Sequence, residues 1–266
     1  MGRGVGLMTD AQEKVQVEIE ERPQGRIAWV RMDNQRRLNA GSSVLVAQLK
    51  AAFEGLAEDS GLRAVVLTGA GERAFMAGAD LNELAALAPD SARHFITQLH
   101  LAAAAIRSLP VPVIGRLRGF CLGAGLEIAA ACDFRVADDS FVMGMPEVKV
   151  GLPSVVEAAL LPQLIGWGKT RELLLMGGNF DADEALAMHF VEKLVPAAQL
   201  DAWVETWLER ILEAGPIAVR AQKALISNWE ELGLSAAIEA GIDTFSEAYL
   251  TDEPSRMVAP HLKPKT

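Results

Sequence analysis

A change of period near Val155 constrains this chain more than any other feature. Ahead of it, runs at 63–68, 113–117, 134–137 and 141–145 are too short for helices and read as extended, with stretches of helical spacing elsewhere between them. Beyond it, nearly every segment apart from 190–195 has a helical pattern. Strands that alternate with helices predict an α/β fold, here followed by a helical C-terminal part. No internal repeat or low-complexity linker divides the chain. The organisation therefore reads as an α/β core over 13–197 and a helical region over 198–266. Residues 1–12 read as a flexible extension, since Gly2, Gly4 and Gly6 give that end little reason to order.

Local signals fill in the order of elements. Residues 15–21 and 26–33 alternate apolar with polar side chains about a Pro23-Gln24-Gly25 turn, the pattern of a β-hairpin. Ser42 or Ser43 is placed to cap a helix whose apolar stripe is Val44, Leu45, Ala47, Leu49, Ala52, Phe53 and Leu56. The strand at 63–68 leads into a loop over 69–76, and helical spacing covers 82–87 and 91–109 until Pro110 and Pro112 break it. After the strand at 113–117, a Gly-punctuated loop over 119–127 runs into an Ala-rich helical stretch over 128–131.

Composition narrows the function. The chain has 266 residues, half of them apolar, so folding can bury roughly 70–75% of the unfolded surface without a disulfide or metal staple. A net charge of −10 with no Lys/Arg run excludes a general nucleic-acid binder, which needs a clustered positive face. Cys121 and Cys132 are too few to frame a fold and read as reduced, buried thiols, with no metal site. No apolar run approaches the ~20 residues of a membrane span and the N-terminal residues lack a signal pattern, so a cytoplasmic protein without a membrane partner is expected. There is no GxxxxGK[ST] phosphate loop, no HExxH and no GxSxG elbow. The histidines sit apart, and Glu253 follows Tyr249 by four where a Tyr-x-x-x-Lys dyad needs lysine.

Three segments can carry chemistry. Gly123 and Gly125 flank Ala124 at the expected start of a helix, where the first N–H groups lack intrahelical partners and favour an anion. Glu127, three positions after Ala124, projects on nearly the same face, and a carboxyl beside free N–H donors is acid/base geometry. Close helix packing alone also accounts for such small residues. Ala77-Gly78-Ala79-Asp80 offers an accessible N–H near Ala79, with Asp80 as a helix cap the plainer explanation of its end. Glu147 follows Pro146, which can aim it rigidly, although exposed loop glutamates are commoner. Glu157 is a second acidic candidate that a rotation of its helix could bring near the pocket, although a solvent or interface role is the commoner reading.

Taken together, Ala74-Phe75-Met76-Ala77-Gly78-Ala79-Asp80, the 119–127 loop and Pro146-Glu147-Val148-Lys149-Val150-Gly151-Leu152-Pro153 resemble the crotonase (enoyl-CoA hydratase/isomerase) family in order and spacing. The likeness runs over about 14–262. It implies a crotonase-like spiral of ββα units with a helical C-terminal trimerisation region, a homotrimer or dimer of trimers, and an acyl-CoA thioester as substrate. Coenzyme A then enters with the substrate and no separate cofactor is expected. The resemblance places the oxyanion-hole N–H groups at Ala79 and Ala124, the latter a departure from the usual glycine. It gives Glu127 the water at Cβ and Glu147 the proton at Cα, the pairing of hydratases, whereas the acid of isomerases falls on Val155. For coenzyme A it suggests Arg36 at the phosphates, Ala77 at the adenine with Gly78 and Asp80 beside it, and Phe245 and Lys263 from a neighbouring subunit. Asn82 stands where a phosphate-binding lysine is frequent. Met76, Leu122, Met143 and Trp167 are candidate acyl-pocket walls. Enoyl-CoA hydration or its reverse is the expected activity, with isomerisation, C–C cleavage, thioester hydrolysis or a non-catalytic acyl-CoA-binding role as alternatives. Apolar positions at Leu225, Ile226, Trp229, Leu232, Leu234, Ile238 and Phe245 point to the same assembly, because one chain would struggle to cover them.

Overall fold

A computed structural model describes residues 13–262. Strands β1 (Lys14–Arg22) and β2 (Gly25–Asp33) form the expected hairpin, paired antiparallel from Lys14 opposite Asp33 to Arg22 opposite Gly25. Helix α1 (Ser43–Ala57) follows, with the Ser42 hydroxyl accepting from Leu45 N at 3.1 Å as its cap. Its buried stripe is Leu45, Val46, Leu49, Phe53 and Leu56, whereas Val44 and Ala47 face outward. The expected stripe was too wide on that side, because the inward arc of a helix admits only about the i, i+4, i+8 line and its nearest neighbours.

Next come β3 (Leu62–Gly69), β4 (Ala74–Ala77), α2 (Leu81–Ala85), α3 (Pro89–Ser108), β5 (Val113–Leu117), β6 (Phe120–Leu122), α4 (Ala124–Ala130), β7 (Phe134–Asp138) and β8 (Val142–Gly144). The remainder is α5 (Leu161–Met176), β9 (Asn179–Asp181), α6 (Ala182–Ala187), β10 (Lys193–Val195), α7 (Leu200–Glu213), α8 (Pro216–Glu231), α9 (Leu234–Ala248) and α10 (Glu253–Val258).

Two sheets result. The larger has the order β1-β2-β3-β5-β7-β10, with every pair after the hairpin parallel. Its strand β3 is buried at every position because both faces are covered. Val65 and Leu67 pack into the main core with α1 and α3, while Ala64 and Val66 meet Leu200, Val204, Leu208 and Leu212 of α7. This two-sided burial makes a near-continuous apolar run.

The smaller sheet has the order β4-β6-β8-β9 and was not expected from the sequence as a sheet. Residues 74–77 and 120–122 read as loop and 179–181 as helical, yet all three are strands. Helix α4 starts at Ala124, as expected from the flanking glycines. These strands have three or four residues and hold Ala, Cys and Asn, so neither period nor β-branching marks them.

The helical C-terminal part is tied to the core by buried polar contacts. Lys223 Nζ donates to Asp133 Oδ2 at 2.6 Å and to Val111 O at 2.9 Å. Within the C-terminal part, the buried Glu253 carboxylate of α10 holds the start of α8, accepting from Ala218 N at 2.8 Å and Ile217 N at 3.1 Å. Helix α9 packs on α8 and leaves Ile238, Ile242 and Phe245 exposed. No helix among the described residues is long and apolar enough to cross a membrane. Cys121 and Cys132 are free and buried, as expected, and burial pushes both thiols upward, Cys132 to about 12.

Candidate active site

The register of the smaller sheet brings two of the three sequence segments together. Strands β4 and β6 run parallel with Ala77 opposite Leu122, so the turns that leave them bring Gly78 close to Gly123, with Ala79 and Ala124 the next residue of each turn. A Cβ on Gly123 would lie 3.7 Å from Gly78 Cα, which shows how close the turns are. Both glycines adopt positive φ, +89° at Gly78 and +51° at Gly123, which side chains rarely accept. The isolated bridge between Gly41 and Ala79 uses Gly78 O, accepting from Gly41 N at 2.8 Å, and Asp80 N, donating to Gly41 O at 3.1 Å. That alternation turns the N–H of Ala79 away from Gly41. Ala124 N belongs to the first residue of α4 and precedes its hydrogen-bond ladder.

The loops that hold this geometry converge on Asn39, whose role sequence reasoning missed. Its buried side chain donates from Nδ2 to Ala70 O and Ala74 O, both at 2.9 Å, and accepts from Asn34 N at 2.9 Å. Gly125 seats α4 on β4, since any Cβ there would overlap Met76 O.

Glu127 projects from α4 into the core and is 4% exposed. Its Oε1 accepts from Ala158 N at 3.3 Å. Burial first, then the neighbouring carboxylates Glu147 and Glu157, push it up to about 8, against the opposing hydrogen bonds from Ala158 and Val155. Glu127 therefore holds a proton more tightly than an ordinary carboxyl. Glu147 lies in a 3-10 turn, Pro146–Val150, that opens on the expected proline. Ser154 Oγ donates to Glu147 Oε2 at 3.0 Å, and Glu147 Oε1 occupies the space where a Cβ of Gly123 would be. Gly123 is thus required twice, by its φ and by the carboxylate against it. Ser154, one residue past the third motif, carried no signal of its own.

Glu157 departs from the commoner reading of its position. It is 4% exposed rather than a solvent or interface residue, with Oε1 2.8 Å from His100 Nδ1. The 3-10 helix Val156–Leu160 packs against α4 and α3, which turns Glu157 inward.

The expected coenzyme A contacts are distributed more widely. Arg36 is exposed in the turn Gln35–Arg37, and Ala77 ends β4 at half burial. Asp80 caps α2, accepting from Asn82 N at 2.8 Å and Glu83 N at 3.3 Å, and pairs with Arg37. Burial raises its carboxyl, but Arg37 and the two N–H groups outweigh that and hold it below its ordinary value. Phe245, on α9, is 68% exposed with its ring edge-on to Tyr249. Lys263 lies outside the described residues. Among the candidate acyl walls, Met76 and Met143 are fully buried and Leu122 partly so, whereas Trp167 is 63% exposed under the Arg171 guanidinium and belongs to the surface. Among the described residues no group of three His, Cys, Asp or Glu side chains is arranged to hold a metal ion.

Comparison with known proteins shows the family. Residues 22–258 match the family model described as enoyl-CoA hydratase/isomerase. The chain is 31% identical to the short-chain-enoyl-CoA hydratase of Clostridium acetobutylicum, over 86% of this chain and 88% of that protein. It is 30% identical to the crotonyl-CoA hydratase of Syntrophomonas wolfei, over 91% and 92%. The crystal structure of an enoyl-CoA hydratase from Bacillus anthracis superposes with a TM-score of 0.86 at 30% identity, covering 94% of this chain and 98% of that one. Fold, register and relatives agree: the chain belongs to the enoyl-CoA hydratase/isomerase, or crotonase, family.

Proposed function

We propose that the protein is an enoyl-CoA hydratase that adds water across the 2,3 double bond of an unsaturated acyl-CoA thioester, or removes it. The observation that carries this reading is the pair of carboxyls: Glu147 Oε1 lies where a Cβ of Gly123 would be, and the buried Glu127, on the helix that starts just after Gly123, has its proton affinity raised by burial and by Glu147. The thioester oxygen accepts from the N–H groups of Ala79 and Ala124, and preorganised donors of this kind are worth about 3–4 kcal/mol each as negative charge gathers there. In hydration, Glu127 takes a proton from water as its oxygen bonds to Cβ. The π electrons move toward Cα and the thioester oxygen, and Glu147 delivers a proton to Cα. Dehydration reverses each step, beginning from a protonated Glu127 that gives its proton to the departing hydroxyl. One proton must be shared by the pair in either direction, and the raised proton affinity of Glu127 supports this.

The test is a panel of 2-enoyl-CoA thioesters of different chain length and branching, followed by loss of conjugated-thioester absorbance and by product mass. A gain of one water supports the reading. Unchanged mass with a moved double bond supports isomerisation, which the third buried carboxyl, Glu157, favours as a second reading. No turnover of any thioester refutes both.

The exposed apolar face of α8 and α9, with Trp229, Leu234, Ile238 and Phe245, supports a trimer or dimer of trimers in which the partner subunit's Phe245 and Lys263 complete the nucleotide site. Arg36, Ala77, Gly78 and Asp80 form the same chain's share of that site in this reading. Sedimentation checks it: a fully active monomer at micromolar concentration refutes the assembly. A cytoplasmic setting and the absence of a separate cofactor belong to the same proposal.

A further inference from the structure

The reaction above uses two carboxyls and leaves a third beside them without a task. Glu157 is buried, and its Oε2 has no hydrogen-bond partner, a state that folded proteins rarely leave unexplained. Its Oε1 is held by His100 Nδ1 of α3 at 2.8 Å. The backbone on its N-terminal side is strained: Val156, a β-branched residue, sits at φ +40°. The residue on its C-terminal side, Ala158, is the one whose N–H donates to Glu127 Oε1. A segment that only filled space would need neither an open carboxylate oxygen nor a valine in the left-handed region.

We propose that Glu157, gripped by His100, is a positioning residue for Glu127, fixing the orientation of that carboxyl through the Val156–Ala158 backbone. Glu157 acts through Glu127 rather than on the thioester. The inference rests on the hydratase reading of Glu127 and adds a residue pair to it.

The charges around Glu127 permit this assignment. From the 3-10 helix Val156–Leu160 comes Glu157, from α3 His100, and from the turn Pro146–Val150 Glu147. Strand β4 brings no ionisable group, and β6 brings only Cys121, a buried thiol kept neutral by its surroundings. Toward the far end of α4, Arg135 is paired with Glu192 and Arg107 of α3 with Glu230, so neither cation is free to offset the carboxyls. Glu127 is thus repelled from two sides, and Glu157 is the side that mutation can remove without touching the proposed proton donor to Cα.

The experiment is a carbon-13 NMR titration of the Glu127 carboxyl in glutamate-labelled protein, assigned by its loss in Glu127→Gln, alongside the pH profile of kcat/KM for a 2-enoyl-CoA. In Glu157→Gln the Glu127 midpoint falls by about half a unit to one unit, because a like charge has gone. The upper limb of the activity profile moves down with it, while KM changes little. An unmoved midpoint in folded Glu157→Gln overturns the proposal. Should that variant not fold, Glu157→Asp serves, since it keeps the charge but withdraws it from His100 and Glu127: a lowered kcat at near-constant KM supports the proposal, and wild-type kcat with an unmoved midpoint overturns it. The titration needs no turnover. A protein that hydrates no enoyl-CoA but shows the shift loses the proposed reaction and keeps this inference, and a hydratase whose Glu127 ignores Glu157 does the reverse.

Discussion

The two sheets of this protein are built on opposite terms. The six-stranded sheet is held by apolar burial on both faces, and any one of its contacts is one among many. The four-stranded sheet has strands of three or four residues, and what fixes it is close backbone approach at glycines together with the hydrogen bonds of Asn39. The first sheet tolerates change because hydrophobic packing is non-directional. The second does not, because a Cβ where Met76 O stands has nowhere to go. The proposed site borders this second sheet, which teaches that the scaffold and the candidate site of this chain draw on different physics.

The sharpest way to break the comparison is one methyl group in each sheet region. Gly125→Ala forces α4 off β4 and is expected to give no stable folded protein, seen as loss of the cooperative thermal transition. Gly115→Ala on β5 meets Cys132 Sγ at 3.4 Å, ordinary contact, and is expected to stay within about 1 kcal/mol of wild type. Equal effects would erase the distinction.

Next in size are Glu127→Gln and Glu147→Gln. Each is expected to reduce hydration ~10²-fold or more with coenzyme A binding nearly unchanged, because each removes proton transfer rather than a binding contact. Steady-state kinetics and calorimetric titration with coenzyme A check this, and near-wild-type turnover in either variant removes that residue from the mechanism.

The same Glu127→Gln substitution should raise stability while it lowers activity. Below pH 4.5 folded and unfolded chains both hold the Glu127 proton and the group costs nothing. As pH rises, the unfolded chain ionises first, so the cost grows between 4.5 and about 8 and then levels. The variant is therefore expected to gain about 4 kcal/mol over wild type at pH 8 and nothing at pH 4, as measured by denaturant unfolding. A gain independent of pH would show that the carboxyl is not the cause.

The smallest expected effect is at Ala124, where Gly keeps the N–H donor and removes a methyl group. Turnover within about threefold of wild type, with a wider range of accepted acyl chains, is expected from the thioester panel, because the donor itself is unchanged. Ala124→Pro, which deletes the donor, is the control, and an active, folded Ala124→Pro enzyme removes this position from the oxyanion hole.

By itself the sequence determined the hairpin, the long helices and the buried strands read at 63–68 and 113–117, because period, capping and proline breaks act within a few residues along the chain, and it marked Glu127 and Glu147 as candidates. The motifs also marked Gly78 and Gly123, since positive φ is a local demand. Only the tertiary structure decided that Ala77 pairs with Leu122, which is what brings Gly78 close to Gly123 across 45 positions of sequence. It alone decided that Ser154 reaches Glu147, that Asn39 binds two separate carbonyls, and that Glu157 turns inward to His100 rather than outward to water. The reason is that these outcomes depend on which surfaces meet when α3, α4 and the small sheet pack. Glu157 has the same local neighbours in sequence whichever way it faces, and its direction follows from the helices it is pressed against.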